Sequence, residues 1–410
     1  MKQVSHDNSS LGTCASASFV LFLSECLPAA ASIATIVSSD SCELGSDEYD
    51  IDEYAEPYKG YVKGLYYPVE IGEELDEKYV VEHKLGHGGF STVWMARDKT
   101  TSKLVALKIG VGRATETEIA MQTELGTSVA NLLALQAVFN LQGKDEQCHR
   151  VLVYPLLGPS LQSCLGKMPM QYRMNAAKQL LCAIASLHEK GIVHRDLNSA
   201  NVLWHATTPE YSKPAKTLSL PSSSWKPGVR TLPLEFPTSL VKKDISLGDL
   251  GLAIKAGTSV SMKVQSPAAY CAPERFHDVN PSYASDVWSF MCLFAELYTG
   301  VIPFPGPGGK MVSMYIVLGL GPMPATWEGK YNGGGEADSR WYDPRTTTEP
   351  VRTIQGLLER TRPEADQTER NLVESVLMKG FCYLPEQRIS AAALMTDPAF
   401  NAVMDKYGVS

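Results

Sequence analysis

The spacing of apolar positions changes along the chain, and each change marks a new kind of element. From Tyr79 to Ile109 apolar and polar side chains alternate in short runs. These are Tyr79 to Leu85, then Val93-Trp94-Met95, then Leu104-Val105-Ala106-Leu107-Lys108-Ile109. A period of two turns one face of a strand toward a core, so three strands are expected, the first two joined through Gly86-His87-Gly88-Gly89-Phe90. A short helix is expected around Glu116 to Leu125, followed by a strand-like run at Asn131 to Leu135. Val151 to Gly158 is an apolar strand that enters a Pro/Gly break, and it reads as an edge strand and hinge between two lobes.

Beyond the hinge the period becomes helical, as in Tyr172 to His188. The apolar run Leu180 to Leu187 leads into His194-Arg195-Asp196-Leu197-Asn198-Ser199-Ala200-Asn201, and Val202-Leu203-Trp204 leads out. Strand character resumes at Ile245 and ends in Asp249-Leu250-Gly251. Asp286-Val287-Trp288-Ser289 opens an apolar helix through Leu297, closed by Thr299-Gly300. Residues 306–350 are rich in Gly and Pro and read as mostly irregular; Leu372 to Met378 and a segment ending at Asp397-Pro398 read as helices.

Composition changes this picture at two places. The net charge of −8 is uneven: residues 1–77 carry −12 and the remainder +4, so the acidity belongs to an N-terminal extension. Residues 40–56 hold eight acids and no Lys or Arg, which predicts a solvated, mobile stretch. The apolar segment Cys14 to Val37 is broken by Glu25 and Pro28, and a weakly structured leader is preferred to a signal peptide or a membrane span. The Tyr-rich stretch 58–78 reads as an arm that packs on a folded body. Residues 207–243, with six prolines, six serines and six Lys/Arg, read as a flexible insertion. Nine cysteines without a C-x-x-C pair suit reduced thiols of an intracellular protein, with no disulfide framework or zinc site.

The chemistry lies at the breaks between elements. Asp196 and Asn201 stand at the offset by which a catalytic loop presents a base and a metal ligand to a phosphoryl group. A glycine-rich hairpin lets backbone N–H groups approach phosphates, and Lys108 on the following strand supplies a fixed charge. An acid must hold that lysine. Glu116, Glu118 and Glu124 compete, and Glu118 suits the helix-then-strand layout best. An adenine at the hinge would use the Pro155 carbonyl and the Leu157 amide.

These elements, followed by Ala272-Pro273-Glu274, Asp286-Val287-Trp288-Ser289 and Arg388, occur in the order found in eukaryotic-type protein kinases, and residues 79–402 resemble that family. The resemblance implies an α+β, bilobal protein-kinase fold. Residues 79–157 would form a small β-rich N-lobe and hinge, and 158–402 a larger, mainly helical C-lobe carrying the insertion. It implies ATP and Mg²⁺ as cofactors. Leu85, Gly86, Gly88, Gly89, Val93, Ala106, Lys108, Pro155 and Leu157 would bind ATP, Asn201 and Asp249 the metal, and Asp196 the attacking hydroxyl. Asp286 would brace the catalytic loop, and Glu274 and Arg388 would form a buried ion pair. Finer features, among them Tyr67-Pro68-Val69-Glu70-Ile71-Gly72-Glu73, Phe90-Ser91-Thr92-Val93-Trp94, Leu157-Gly158-Pro159-Ser160-Leu161 and the insertion, resemble the SR-protein kinase (SRPK-like, fungal-type) branch of the CMGC Ser/Thr kinases. That branch implies Arg/Ser-rich protein substrates. A cytoplasmic or nuclear location, no direct nucleic-acid or membrane partner, and a monomer are expected.

Two departures bear on activity. Asn198 replaces the lysine that such Ser/Thr kinases place near the γ-phosphate, which predicts slower transfer and admits a rival reading as a pseudokinase or nucleotide-binding scaffold. A small-molecule kinase of related fold is a third reading, disfavoured by Ala-Pro-Glu and Arg388. His-Arg-Asp in place of His-Thr-Asp predicts that Arg195 meets a phosphate on Thr258, Ser259, Ser261 or Ser266.

Overall fold

The computed structural model describes residues 55–89, 91–126, 129–207, 217–265 and 267–409. The expectations for residues 1–54, Phe90 and Ser266 lie outside the described residues. Six antiparallel strands form the first lobe: β1 (Glu74–Leu75), β2 (Tyr79–His87), β3 (Ser91–Asp98), β4 (Leu104–Gly110), β5 (Ala137–Gln142) and β6 (Cys148–Pro155), in the order β1-β2-β3-β4-β6-β5. Alternate side chains of β3, β4 and β6, including Trp94, Leu107, Ile109, Val151 and Val153, make one core on one face of this sheet. The register sets Lys108 between Val93 of β3 and Leu152 of β6.

Two strand expectations are corrected. β6 is interior, flanked by β4 and β5, and the edge is β5. Asn131 to Leu135 is not a strand, because its backbone groups are engaged elsewhere. Leu133 N–H donates to Leu247 O (2.8 Å), Leu247 N–H to Asn131 O (2.7 Å), and the Gln122 amide ties down Leu133 O (2.7 Å). This segment therefore links the lobes, and pairing in the sheet starts at Ala137.

A helix, α2 (Arg113–Leu125), follows a four-residue helix α1 (Lys59–Val62) and packs beside the sheet with Glu118, Gln122 and Leu125 buried. The chain then crosses to the second lobe at Leu156 to Ser160. A Cβ on Gly158 would stand 2.8 Å from Ala206 Cβ and 3.1 Å from Trp204 O, so the crossing requires a residue without a side chain.

The second lobe is built on α3 (Met170–Glu189) and α4 (Tyr283–Thr299). Every residue of α4 from Ser285 to Thr299 is buried, which is why its sequence is apolar all round and lacks a polar stripe. Ser282 and Ser285 form a reciprocal capping box at its start, and Gly300, at φ +82°, ends it. Shorter helices, α5 (Gly309–Leu320), Ile354–Thr361, Gln367–Gly380, Ala391–Met395 and Pro398–Lys406, complete the lobe. α5 lies inside the stretch read as irregular: the flanking glycines and prolines masked an apolar helix whose Val312, Ile316 and Val317 are buried.

Two antiparallel ribbons cap the lobe where it meets the sheet. β7 (Ile192–Val193) pairs with β12 (Ile254–Lys255), and β8 (Val202–Ala206) pairs with β11 (Val241–Leu247).

The expectation of a flexible insertion at 207–243 is corrected for residues 217–243. There β9 (Thr217–Ser219) pairs with β10 (Val229–Thr231), and Val229 N–H donates to Val69 O (2.9 Å). Leu220 is buried with Tyr61 and Tyr66, while Trp225 and Val229 pack on the sheet core beside Tyr67. Few apolar residues suffice because the Tyr-rich arm supplies the rest of the cluster. The arm packs on the body, as its aromatics imply.

Candidate active site

The five charged or amide side chains predicted for phosphoryl chemistry converge where the two lobes meet. Lys108 projects from β4, and its Nζ lies 2.6 Å from Glu118 Oε2 on α2 and 3.1 Å from Asp249 Oδ1. Glu116 and Glu124, the competing acids, are spent elsewhere, Glu116 on Arg150 (2.7 Å) and Glu124 on Lys255. Burial pulls the Lys108 pKa down, but Asp249 and Glu118 outweigh it, so the ammonium is held charged. Burial opposes the Asp249 charge, and Lys108 again reverses the balance, holding that carboxyl below its usual range.

Ribbon geometry explains how Asn201 and Asp249, 48 positions apart, become neighbours. Val202 pairs with Leu247, and Gly248 N–H donates to Asn201 O (2.8 Å), so the residues just beyond the ribbon meet at one end. Asn201 Nδ2 donates to Asp196 O and Oδ2, both at 2.9 Å. That orientation leaves the Asn201 carbonyl oxygen and the ionised Asp249 as a pair of hard oxygen donors. Such a set fits Mg²⁺, which takes one or two protein oxygens and completes its shell with phosphates and water. Among the described residues no group of three or more His, Cys, Asp or Glu could hold a metal.

Asp196 is half-buried beside this pair. Burial first, and then the Asp249 charge, push its carboxyl up to about 7. The loop that carries it is held from behind by Asp286, which accepts from His194 N–H (2.7 Å) and Arg195 N–H (2.9 Å). Those bonds fix Arg195 at φ +70°, a left-handed turn that a non-glycine residue adopts only when its surroundings hold it. Glu274 and Arg388 form a bidentate pair at 2.8 and 2.9 Å, fully buried.

Leu157 and Ala106 pack with Tyr154, Leu133 and Leu203 in one apolar cluster at the hinge. Gly86 lies near the end of β2, opposite Val93, and Gly88 in the turn that follows, where its N–H donates to Ser91 O (2.8 Å) and Gly89 is exposed. Leu85 and Val93 flank that turn, half-buried.

The protein kinase domain model matches residues 79–400, most of the chain. The chain belongs to the protein kinase family. Among known kinases it is similar to the probable serine/threonine-protein kinase clkA of Dictyostelium discoideum, 30% identical over 288 residues that cover 63% of this chain and 29% of that protein. It is 35% identical over 169 residues to the serine/threonine-protein kinase SKY1 of Saccharomyces cerevisiae, covering 36% of this chain and 23% of that one. The serine/threonine-protein kinase SRPK of Physarum polycephalum matches more extensively, at 28% identity over 415 residues covering 88% and 93% of the two chains. This chain spans less than a third of the length of the Dictyostelium and yeast kinases. No helix among the described residues is long and apolar enough to cross a membrane.

Within this kinase domain the phosphate role expected for Arg195 meets an obstacle. Its guanidinium already donates to Leu252 O (3.0 Å) and Met262 O (2.7 Å), on either side of the exposed Thr258, Ser259 and Ser261. Arg275 adds bonds to Lys263 O and Gln265 Oε1, both at 2.5 Å. Backbone and amide oxygens thus hold the segment where a phosphate was expected.

Three side chains at the site were not singled out from sequence. Tyr154 donates to Glu118 Oε1 (2.7 Å), so Glu118 is gripped through both oxygens. Leu203 joins the hinge cluster. Ser199 meets Tyr270 Oη at 2.8 Å, and Tyr270 donates to the buried Glu296 on α4 (2.7 Å). Periodicity signals Tyr154 and Leu203 only as core residues.

Burial pushes Glu296 up to about 7 from an ordinary value of 4.5. The folded chain therefore binds this proton more tightly than the unfolded chain, and stability falls as pH rises from about 4.5 to 7. Glu296→Gln keeps an acceptor for Tyr270 and removes the titration. The wild-type unfolding free energy should fall, relative to the variant's, by on the order of 3 kcal/mol between pH 4.5 and 8. Urea titrations of both proteins across that range check this; parallel curves would refute it.

Proposed function

We propose that this chain is a serine/threonine protein kinase, transferring the γ-phosphoryl group of ATP to protein hydroxyls with Mg²⁺ as cofactor, and that Arg/Ser-rich proteins are its substrate class. The observation that carries the reading is the convergence of Lys108, Glu118 and Asp249 in one ion cluster, beside Asp196 held to Asn201. In phosphoryl transfer the protein contributes positioning and charge neutralisation more than covalent chemistry.

Each residue then has a role that follows from its place. Leu85, Val93, Ala106, Leu157 and Leu203 enclose the adenine, with the Pro155 carbonyl and Leu157 amide as its polar partners. Gly86, Gly88 and Gly89 carry no side chains, so the backbone of the turn can approach the phosphates. Lys108, kept straight by Glu118, holds the α- and β-phosphates. Asn201 and Asp249 would hold Mg²⁺, which neutralises charge on the phosphate oxygens. Asp196 orients the substrate hydroxyl and accepts its proton. The Arg/Ser preference follows the likeness to SRPK of Physarum polycephalum. The free thiols of Cys148, Cys164, Cys182, Cys271, Cys292 and Cys382 suit the reducing cytoplasm or nucleus. We place the kinase there, as a monomer without a direct nucleic-acid partner, its kinase lobes at 79–157 and 158–402.

The test is transfer of radiolabel from ATP to an Arg-Ser repeat peptide and to a generic basic peptide. Labelling of the repeat peptide is expected. Labelling of the generic peptide alone removes the substrate class and keeps the kinase. Absence of transfer with ATP·Mg²⁺ bound would instead make the chain a nucleotide-binding scaffold.

Asn198 donates from Nδ2 to Asp196 O (3.1 Å) and Oδ1 (3.3 Å), so it supports the base but brings no positive charge to the γ-phosphate. A charged hydrogen bond exceeds a neutral one by about 1 kcal/mol. Asn198→Lys should therefore raise kcat roughly fivefold, with KM for peptide unchanged, as read by steady-state kinetics. A lower kcat would show that the Asn198–Asp196 bond matters more than the missing charge.

A further inference from the structure

The turn between β2 and β3 is touched from outside by a residue of the arm. Tyr66 Oη donates to Gly88 O (3.1 Å) and approaches Gly89 O at 3.5 Å. Tyr66 is 5% exposed, whereas both glycines are exposed, so a buried side chain holds an exposed turn. The placement of its ring is tightly determined. A Cβ on Gly60 would stand 2.4 Å from the Tyr66 ring, Tyr61 packs against it edge to face at 5.5 Å, and Leu220 of the insertion closes the cluster.

The same elements also hold the strand that leads into the turn. Lys84, two residues before Gly86, is fully buried in an ion pair with Glu56, which also accepts from Tyr61 Oη. Leu234 N–H of the insertion donates to Lys84 O (3.0 Å), and the Arg230 charge lies near enough to disfavour the Lys84 ammonium. Two stretches distant in sequence, 56–66 and 220–234, thus converge on residues 84–89.

We propose that Tyr66 is a positioning residue for the phosphate-binding turn. Its hydroxyl fixes the Gly88 carbonyl, so that the Gly89 N–H on the other side of the same peptide is turned toward the phosphates. This rests on the kinase reading above. A turn rich in glycine has many backbone states, and an external hydrogen bond that removes some of them lowers the entropy lost when phosphates bind. Tyr66 touches neither nucleotide nor reacting atoms, so its effect should appear in nucleotide affinity and leave the chemical step alone.

Tyr66→Phe tests this, since it removes the hydroxyl and keeps the ring in its cluster. The variant should show KM for ATP and Kd for ADP raised about two- to tenfold, the value of one neutral hydrogen bond. The kcat at saturating ATP and the KM for peptide should stay within twofold. Amide hydrogen exchange without nucleotide should quicken at residues 86–92 and stay unchanged in α4. Gly60→Ala, which displaces the ring, should shift the same quantities the same way. Unchanged exchange at 86–92, or an unchanged KM for ATP in active enzyme, overturns the proposal. If the wild type binds no ATP·Mg²⁺, the kinase reading fails separately, and the exchange data alone decide whether Tyr66 holds the turn.

Discussion

Asp196→Asn should lower kcat on the order of a thousandfold, within the range general-base removal produces, while ATP·Mg²⁺ affinity stays within about twofold. The substitution is isosteric. An asparagine carbonyl at position 196 can still accept from Asn201 Nδ2, so the loop geometry and the Asn201 position should survive. What disappears is the acceptor for the proton of the attacking hydroxyl, one negative charge and the 3.3 Å bond that Oδ1 accepts from Asn198 Nδ2. That charge is unfavourable where it stands, because burial and Asp249 both oppose it. The variant should therefore melt at the same temperature as wild type or higher. This pairing of lost transfer with retained or increased stability separates a catalytic role from a structural one. Transfer above a tenth of the wild-type rate would sink the assignment of Asp196 as the base.

Arg388→Ala should act in the opposite sense, on stability first. Arg388 makes two bonds to Glu274 and donates also to Cys382 O (2.9 Å), Ala284 O (2.7 Å) and Tyr383 O (3.2 Å). Its guanidinium lies 5.1 Å from the centre of the Trp288 ring. Truncation leaves Glu274 as a fully buried carboxylate without its partner, a loss of about 3–5 kcal/mol. A domain stable by only about 5–15 kcal/mol would be brought near its unfolding threshold. The orphaned charge should dominate that loss. The double variant Arg388→Met with Glu274→Gln, which buries no unpaired charge, should then be clearly more stable than Arg388→Ala. Urea unfolding of the three proteins decides. If the double variant is the least stable, the hydrogen bonds to the three carbonyls outweigh the charge.

The parts of the fold legible in sequence are those whose information is local. Alternation marks β2, β3 and β4, and a helical period marks α3 and α4, because each buries one face or all faces over many consecutive residues. The loop at 194–201 is legible because Asp196 and Asn201 stand five positions apart, and the ribbon ends then bring Asp249 beside them. Lys108 and Glu118 were a choice among three acids. Geometry makes that choice, since Glu116 and Glu124 point to other cations. What was not legible depends on pairing at long separation. Tyr154 looks like any strand aromatic until Glu118, 36 positions earlier, is placed beside its hydroxyl. The insertion reads as flexible because its few apolar residues, Leu220, Trp225 and Val229, are averaged away among prolines and serines. Their burial needs partners from the arm, more than 150 positions upstream.

That separation orders events during synthesis. Tyr58 emerges from the ribosome 165 residues before Ser223, to which its hydroxyl is bonded in the finished protein. At about 5–20 residues per second the wait is on the order of ten to thirty seconds. Through that interval the sheet, the Lys108–Glu118 pair and the glycine turn can all be translated. Leu220, Arg230 and Leu234, which close over Tyr61 and Lys84, do not yet exist. The nascent first lobe must therefore carry an uncovered tyrosine cluster until well into translation of the second. Its completion is a late step, coupled to a stretch of chain that follows residues 194–201.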